Sequence, residues 1–322
     1  MSEHHFITGV AGFIGSQLAD QLLAKGHHVT GVDDFSLGKP TNIEQASTHS
    51  CFHFVEADIS DEGTASRVMS HAVAENGPLD MVWHLAANSD IAAGVADGSV
   101  DFRKTLCTTY ATLEASRGGR VRHFAFASTS AVYGERDDLL TEGSGPLLPI
   151  SSYGGAKLAS EALLSAAAES FLEKIWIFRF PNVIGPRATH GAIHDFAKRL
   201  SIEPGILRVL GNGTQQKPYL HVSELLEAMQ YIIAKAGEKR NVFNIGPQSE
   251  GTLVSFLAET TVARVAPGAE IVYSGGDRGW VGDVPKFSYS TERLRQLGWQ
   301  PVLSSDEAAI RAIDEIATEL GF

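Results

Sequence analysis

Short apolar runs alternate with predicted helices along the first part of the chain. The apolar runs lie at residues 6–8, 28–32, 51–57, 79–85, 121–127 and 175–180. The segments between them that predict helices are 16–24, 61–75, 100–116 and 153–171. Strands that alternate with helices in this way pair into a parallel sheet, whose ligands lie beyond the carboxyl ends of the strands. The pattern therefore predicts an α/β fold built on a parallel sheet.

The second part of the chain is expected to form a smaller α/β domain. A predicted helix at 223–235 and a predicted strand at 241–245 should return to the parallel sheet. We therefore expect a first domain over residues 1–180, to which a segment around 221–250 returns, and an interleaved second domain over residues 181–322. The last amphipathic helix, at 306–320, is assigned a structural role.

Composition excludes some classes of function. The 322 residues include 38 acidic and 26 basic side chains, and the formal charge of -12 argues against a dedicated nucleic-acid surface. Cys51 and Cys107 lie far apart in the sequence among apolar residues, as buried free thiols of a reducing compartment do. The chain enters its first strand without a charged and apolar leader, and no apolar run reaches the length of a membrane span. We therefore expect a soluble cytoplasmic protein.

A glycine-rich turn joins the first predicted strand to the first helix. Gly9, Gly12 and Gly15 allow the backbone to approach a pyrophosphate closely, and the free N–H groups and dipole of the following helix favour an anion. The second strand ends at Asp33, where a carboxylate can hold the ribose hydroxyls of an adenosine. No arginine follows closely to bind a 2′-phosphate, so NAD is favoured over NADP. The alternative is an ordinary glycine-rich turn.

Tyr153 and Lys157 form a candidate acid–base pair. Positions four apart lie on one face of a helix, so the phenol and the ammonium can point into the same cleft. A neighbouring cation favours the phenolate, and a bound nicotinamide would act in the same direction. The pair is therefore a candidate proton acceptor for an alcohol near neutral pH. The alternative is that both are ordinary exposed helix residues.

Hydroxyl and small side chains follow the predicted strands at the same edge of the sheet. The strand at 121–127 delivers Ser128, Thr129 and Ser130, and a hydroxyl there can bond the substrate oxygen that Tyr153 deprotonates. Hydroxyls after a strand commonly bond nearby backbone, and we assign that structural role to Ser128 and Ser130. The strand at 79–85 is followed by Ala86, Ala87 and Asn88, which are small enough to let a cofactor pass.

Together these motifs resemble the extended short-chain dehydrogenase/reductase family, and within it the nucleotide-sugar epimerases and dehydratases. The resemblance covers nearly the whole chain and implies a Rossmann-type doubly wound sheet, an NAD cofactor and a homodimer. It rests on Gly9, Gly12, Gly15, Asp33, Asp58, Ile59, Leu85 to Ala87, Ser128 to Gly134, Tyr153 to Lys157, Arg179 to Arg187 and Asn244 to Gly246.

The resemblance also assigns roles to individual residues. It implies three catalytic residues, Thr129, Tyr153 and Lys157. For the cofactor it implies Gly9, Gly12, Phe13, Ile14, Gly15, Asp33, Asp58, Ile59, Leu85, Ala86, Ala87, Tyr153 and Lys157. For the nucleotide sugar it implies Asn88, Thr129, Asn182, His190, Lys217, Tyr219, Arg278 and Phe287. His190 and His194 lie four apart, but no third ligand accompanies them at typical spacing, so no metal is expected.

The chain departs from the family pattern in ways that bear on function. Thr105 stands where the family usually has asparagine, and Gln216 stands where relatives commonly have arginine. The segment 207–222 looks like the family's hairpin. Related 4,6-dehydratases place an Asp-Glu pair directly after the catalytic threonine, whereas this chain has Ser130 and Ala131. That difference argues against dehydration.

The function that the resemblance implies is a UDP-hexose 4-epimerase for UDP-glucose and UDP-galactose, which works through a transient 4-keto sugar. Phe287 lies close to the place where bulky residues narrow the sugar pocket, which favours an unsubstituted hexose. Three alternatives stay open. They are an epimerase of UDP-uronate or a UDP-N-acetylhexosamine, a nucleotide-sugar 4,6-dehydratase or net dehydrogenase, and a non-catalytic NAD-binding partner protein.

Overall fold

The computed structural model describes residues 2–249, 251–276 and 288–322. They divide into two compact units, the first made of residues 1–132, 149–179 and 233–243 and the second of 133–148, 180–232 and 244–322. The segment 133–148, expected in the first domain, thus belongs to the second unit. The segment that returns to the first unit is 233–243, which is shorter than the 221–250 expected.

A seven-stranded parallel sheet forms the centre of the first unit. Its strands are β1 (His4–Thr8), β2 (His28–Asp33), β3 (Phe52–Glu56), β4 (Met81–His84), β5 (His123–Thr129), β6 (Lys174–Phe180) and β11 (Arg240–Asn244). They lie in the order β11-β6-β5-β4-β1-β2-β3. The strand order reverses between β1 and β4, which is where open α/β sheets bind their ligands. The predicted Rossmann-type fold is confirmed.

The helices of this unit connect the strands. They are α1 (Phe13–Ala24), α2 (Glu44–Ser47), α3 (Glu62–Asn76), α4 (Ile91–Ala96), α5 (Gly98–Asp101), α6 (Thr108–Gly118) and α7 (Ser152–Ser170), with 3-10 turns at Pro40–Ile43 and Ser130–Tyr133. A core cluster joins α3, α6 and α7 to alternate residues of the strands, including Phe6, Val82, Phe124 and Phe126. Because successive strand residues point to opposite faces, these alternate positions define one face of the sheet.

The single helix expected at 100–116 is interrupted. A π-helical segment, Phe102–Cys107, separates α5 from α6. Hydroxyl groups of α6 bond carbonyls four residues back, as Thr109 does to the oxygen of Thr105 at 2.8 Å. Such bonds compete with the regular helical ladder, and π-segments occur often at functional sites.

The second unit contains short strand pairs and longer helices. Its elements are β7 (Asn182–Ile184), α8 (Ala192–Ile202), β8 (Ile206–Val209), β9 (Gln216–Lys217), β10 (Tyr219–His221), α9 (Val222–Lys235), β12 (Thr252–Leu253), α10 (Val254–Val265), β13 (Glu270–Tyr273), α11 (Glu292–Leu297) and α12 (Ser305–Glu319). The prediction of a hairpin at 207–222 is wrong. Within that segment, β8 pairs with β13, β9 with β12 and β10 with β7. Left-handed turns at Gly211 and Gly213 redirect the chain between these pairings.

The cysteines and the helices relate to two expectations drawn from composition. Cys51 and Cys107 are free thiols, but each is half-buried rather than buried. No helix in the described part of the chain combines the length and apolar composition that a membrane span requires.

A buried ion pair joins α7 to β6 and generates a stability prediction. Arg179 Nη2 lies 2.6 Å from Glu161 Oε2, and both side chains are 7% exposed. The Glu161→Gln substitution removes a charge that faces a buried guanidinium, so we expect the free energy of unfolding to fall by about 3–5 kcal/mol. Urea unfolding measures this change.

The matched control for this prediction is Glu173→Gln. Glu173 pairs with Arg122 at 2.6 Å, but its side chain is 53% exposed, so its loss should cost less than about 1 kcal/mol. Equal losses in the two variants would contradict the importance assigned to burial.

Candidate active site

The glycine turn lies where the sheet changes direction, and its packing requires glycine. Gly9 has a φ of +72°, and a Cβ there would lie 2.9 Å from the backbone nitrogen of Ala86. A Cβ at Gly15 would lie 2.2 Å from the Gly9 oxygen. The loop after β1 therefore touches the loop after β4, and α1 packs closely on the turn.

The N-terminus of α1 offers an anion site. Gly12 is its N-cap residue, without a side-chain capping bond, and the first turn contains no acidic residue. Phe13 and Ile14, both half-buried, are the first two residues of the helix. Because the N–H groups of a first helical turn lack helical partners and the helix dipole is positive there, these residues fit a pyrophosphate.

Asp33 is fixed at the end of β2 by the neighbouring backbone. Its Oδ2 accepts a hydrogen bond from Ala11 N and its Oδ1 one from Phe35 N, each at 2.9 Å. Burial raises the pKa of Asp33, and these backbone bonds oppose the rise. Each oxygen of the Asp33 carboxylate retains a lone pair, so it can also accept a hydrogen bond from the ribose hydroxyls expected here.

Lys104 is a residue of this region that the sequence analysis did not select. Its Nζ lies 2.6 Å from Asp34 Oδ2 and 2.7 Å from Asp58 Oδ2. Burial acts to raise the pKa of Asp58, but the hydrogen bonds from Lys104 and Ser60 together outweigh it, so the pKa lies below the ordinary value. Ile59, next to Asp58, is buried. No local spacing indicates this bridge, because Lys104 is distant in sequence from both carboxylates.

The catalytic candidates come together between the end of β5 and the start of α7. Ser151 caps α7, because its hydroxyl accepts a hydrogen bond from Gly154 N at 3.1 Å. The Lys157 side chain is buried, and its Nζ donates to the Ala127 carbonyl at 2.6 Å. The same nitrogen lies 5.9 Å from the centre of the Tyr153 ring. Thr129, the last residue of β5, interacts with the Tyr153 phenol.

Burial changes the ionisation expected for this pair. Burial raises the pKa of Tyr153 to about 12, and the bond to Thr129 opposes that rise. Burial lowers the pKa of Lys157 to about 7, while Glu161 and then Asp101 act in the opposite direction. The phenolate expected near neutral pH is therefore not produced by the chain's own residues, because losing water disfavours both charged forms.

A hydrogen-bonded network holds the loop after β4. The Thr8 hydroxyl accepts from the backbone nitrogens of Leu85 and Ala86, each at 3.1 Å. It also lies 2.8 Å from Nδ1 of His84, which is fully buried and whose pKa burial lowers to about 3. Ala87, the next residue, is half-buried. The loop that was expected to pass along a cofactor is thus held by β1.

Asn88 is held by neighbouring residues of the protein. Its backbone nitrogen donates to Thr105 Oγ1 at 3.1 Å, so the threonine that replaces the family's asparagine still contacts this backbone. Its Nδ2 donates to Asp101 Oδ1 at 2.8 Å and to the Asp90 carbonyl at 2.9 Å. The substrate role expected for Asn88 stays a prediction.

The second unit brings together some of the residues expected to bind the nucleotide sugar. Tyr219 on β10 is paired in register with Asn182 on β7, and the Asn182 side chain is 3.4 Å from the Pro218 carbonyl. Lys217 and Tyr219 are buried, whereas Asn182 and His190 are exposed. The two remaining candidates, Arg278 and Phe287, lie outside the described residues.

One group in the described residues has metal-ligand side chains, but its hydrogen bonds do not suit a metal. Ligand atoms of Glu3, His5 and His27 lie within 4.8 Å of one another. The Trp83 indole N–H donates to Nδ1 of His5 at 3.2 Å, and the Glu3 backbone N–H donates to Nδ1 of His27 at 3.1 Å. Each neutral ring therefore carries its proton on Nε2, which then cannot bind a metal. The expectation of no metal stays a prediction.

Comparisons with known proteins show which sequences and structures this chain resembles. The sequence model of the NAD dependent epimerase/dehydratase family matches residues 5–246. A UDP-glucose 4-epimerase of Mycolicibacterium smegmatis is 29% identical over 314 residues, which cover 96% of each chain.

Solved structures also share the fold, including the two that follow. A UDP-glucose 4-epimerase with UDP-glucose from Thermotoga maritima matches with a TM-score of 0.86 and 30% identity, over 98% of this chain and 99% of that one. A UDP-glucuronic acid 4-epimerase from Bacillus cereus, in complex with UDP-glucuronic acid and NAD, matches with a TM-score of 0.85 and 25% identity, over the same shares.

The buried amine of Lys157 predicts a pH-dependent stability. Because its pKa is about 7 in the folded chain and 10.5 ordinarily, the unfolded chain binds more protons between these values, and folding stability rises with pH across that window. Lys157→Met removes this dependence. We expect its stability relative to the unchanged protein to be highest near pH 7 and to fall by pH 10, by on the order of 1–3 kcal/mol.

Urea unfolding of the NAD-free protein at three pH values measures this effect. Leu158→Met is the control, since it changes the adjacent residue of α7 without removing an ionisable group, and its stability difference should be the same at each pH. A Lys157→Met difference that does not vary with pH would contradict the buried-amine interpretation.

Proposed function

The chain belongs to the NAD dependent epimerase/dehydratase family, and from this premise we propose that it is a UDP-hexose 4-epimerase that interconverts UDP-glucose and UDP-galactose. It is an NAD-dependent epimerase-family enzyme. The observation that supports the specific proposal is the set of Thr129, Tyr153 and Lys157 at one end of the sheet, without an acid–base pair directly after Thr129.

The reaction begins with removal of the proton from the sugar 4-hydroxyl. Tyr153 takes that proton, and the Thr129 hydroxyl bonds the same oxygen and fixes its position. Lys157 stabilises the phenolate form of Tyr153 that accepts this proton, and its Nζ lies 5.9 Å from the ring centre. The 4-keto sugar then rotates so that C4 can take the hydride back on its opposite face. Tyr153 returns the proton to the 4-oxygen, so the side chain ends the cycle in the ionisation state in which it began.

The residues at the glycine turn and beside Asp33 fit NAD. Gly9, Gly12 and Gly15 leave room for a pyrophosphate at the α1 N-terminus, and Asp33 faces the ribose position. Bound at these residues, NAD would supply reversible hydride transfer with C4 of the sugar and a positive charge that favours the phenolate. That charge matters, because burial alone leaves Tyr153 protonated with a pKa of about 12.

The residues after Thr129 argue against dehydration. The chain passes directly into the 3-10 turn Ser130–Tyr133, and Ala131 N donates to Thr129 Oγ1 at 3.1 Å. Loss of water from a 4-keto sugar needs a group that removes the C5 proton and one that protonates the departing hydroxyl. Neither Ser130 nor Ala131 carries a carboxyl group for these steps.

A uronate epimerase is the second candidate. The Bacillus cereus enzyme that shares the fold acts as a UDP-glucuronic acid 4-epimerase, and the same catalytic set would serve that substrate. The sugar pocket distinguishes these activities, and its candidate residue Phe287 lies outside the described part of the chain. A panel of UDP-glucose, UDP-glucuronate and UDP-N-acetylglucosamine separates the substrates.

We also propose a homodimer. Phe102 and Tyr110 are 55% and 42% exposed on the segment expected to pair with a second subunit. Leu158, Ala159 and Ala162 of α7 line a groove together with Ile177 and Val242. Exposed apolar side chains on two helices suit a helix-to-helix interface. The cytoplasmic location stays a prediction.

The test of the epimerase proposal is conversion of UDP-galactose to UDP-glucose without accumulation of NADH. We expect Tyr153→Phe to lower kcat by roughly 10²–10⁴-fold, because the proton acceptor is removed. We expect Thr129→Val to lower kcat as well, and Thr129→Ser to retain most of it because the hydroxyl remains. Chromatography of the nucleotide sugars and the absorbance of NADH give both readouts.

The control variant is Ser130→Ala, whose activity should remain at the level of the unchanged protein. Conversion of UDP-glucuronate but not UDP-galactose would replace the substrate assignment and leave the mechanism. Full activity in Tyr153→Phe would contradict the mechanism itself.

A further inference from the structure

Asp101 is a buried carboxyl group that the proposed mechanism does not use. It is the last residue of α5 and is 1% exposed. Its Oδ1 accepts a hydrogen bond from Asn88 Nδ2 at 2.8 Å, and its Oδ2 is buried with no hydrogen-bond partner. Aspartate is rarely buried without full pairing, so the position calls for an explanation beyond packing.

The neighbouring helix is shaped around the unpaired oxygen. Gly94 lies inside α4, and a Cβ built on it would be 1.9 Å from Asp101 Oδ2. Glycine weakens a helix interior, so its place here is explained by the room that the carboxylate needs. The Asn88 amide holds the other oxygen and is itself fixed by the Asp90 carbonyl and backbone nitrogen. Asn88 and Gly94 together thus determine the direction of the Asp101 side chain.

The charged groups around Asp101 include the catalytic pair. α5 packs on the start of α7, where a Cβ at Gly98 would lie 3.3 Å from Ser152 Oγ. Lys157 and Tyr153 of α7 both interact electrostatically with Asp101, and Asp90 at the start of α4 opposes its charge. Glu161 and His84 are the other titratable groups that act on Lys157. Asp101 therefore belongs to one buried set of interacting charges.

We propose that Asp101 is a positioning residue of the catalytic pair, whose buried carboxylate, held by Asn88 and accommodated by Gly94, keeps the Lys157 ammonium charged and the Tyr153 phenol protonated in the NAD-free protein. This inference assigns a further residue to the proposed epimerase reaction, and it rests on that proposed function. A negative charge favours the protonated form of both neighbours, in agreement with the direction in which Asp101 moves the pKa of Lys157 and that of Tyr153.

The first experiment measures Lys157 directly. Full-length protein containing lysine labelled with carbon-13 at Cε is titrated by NMR, and the Lys157 signal is identified by its loss in Lys157→Met. Asp101→Asn removes the charge at constant size, and we expect the Lys157 midpoint to fall by about half a pH unit or more. An unchanged midpoint overturns the proposal.

The control for the first experiment is Asp97→Asn. Asp97 caps α5 by accepting from Ser99 N at 2.9 Å, and its side chain is exposed. Asparagine also caps helices, so this variant makes the same chemical change four residues away without removing the cap. Its Lys157 midpoint should equal that of the unchanged protein, and an equal fall in both variants counts against a specific role of Asp101.

The second experiment measures the pH profile of kcat/KM for UDP-galactose. Without the Asp101 charge the Tyr153 phenol loses its proton more readily, so the acid limb should move to lower pH while KM stays the same. A structural role alone would lower kcat at every pH and leave the limb in place, which overturns the proposal. Absence of epimerase activity together with a shifted Lys157 midpoint would refute the proposed function and leave the Asp101 interaction standing.

Gly94→Ala provides an independent variant in case Asp101→Asn does not fold. The added methyl group occupies the space of Asp101 Oδ2 and displaces the carboxylate without changing the charge of the chain. We expect the Lys157 midpoint to move in the same direction as in Asp101→Asn. Unchanged titration in a folded Gly94→Ala protein overturns the proposal.

Discussion

The burial of the Lys157 ammonium beside Tyr153 is the constraint on which the rest of the site depends. An amine without water is costly in its charged form, and the surroundings offset that cost only in part. The Ala127 carbonyl accepts a hydrogen bond at 2.6 Å, and the Phe126 ring centre lies 4.7 Å from the same nitrogen. Glu161 and Asp101 supply negative charge. The Lys157 amine is thus placed between its charged and neutral forms near neutral pH, where small changes in its surroundings alter its charge.

The groups that offset the cost of burying the Lys157 ammonium lie on helices and strands. Glu161 accepts from Ser128 at 2.5 Å and from Arg179 at 2.6 Å, which ties α7 to the ends of β5 and β6. Ser128 therefore has the structural role expected from its position after a strand. A helix held in this way keeps the candidate residues Tyr153 and Lys157 within the narrow range of geometry that proton transfer needs.

Local spacing made part of the site predictable from sequence. The glycine turn, Asp33 and the four-residue spacing of Tyr153 and Lys157 each lie within one strand-turn-helix unit, so their neighbours in space are also neighbours in sequence. The bridge from Lys104 to Asp34 and Asp58 and the place of Asp101 depend on residues that the fold brings together from distant segments. The pairing of β9 with β12 was missed for the same reason. The burial that raises the pKa of Tyr153 is likewise not revealed by spacing.

A continuous chain of hydrogen bonds connects the loop after β4 to α7, the helix that carries Tyr153 and Lys157. His84 lies between Thr8 and Thr109, with its Nε2 3.0 Å from Thr109 Oγ1. Ser160 on α7 donates to the same Thr109 oxygen at 3.1 Å. Since the ring of His84 is buried and its pKa is about 3, it stays neutral and donates from one nitrogen while accepting at the other. A displacement of the loop after β4 would therefore have to break or move bonds that also hold α7, which explains how these two parts of the site can keep one geometry.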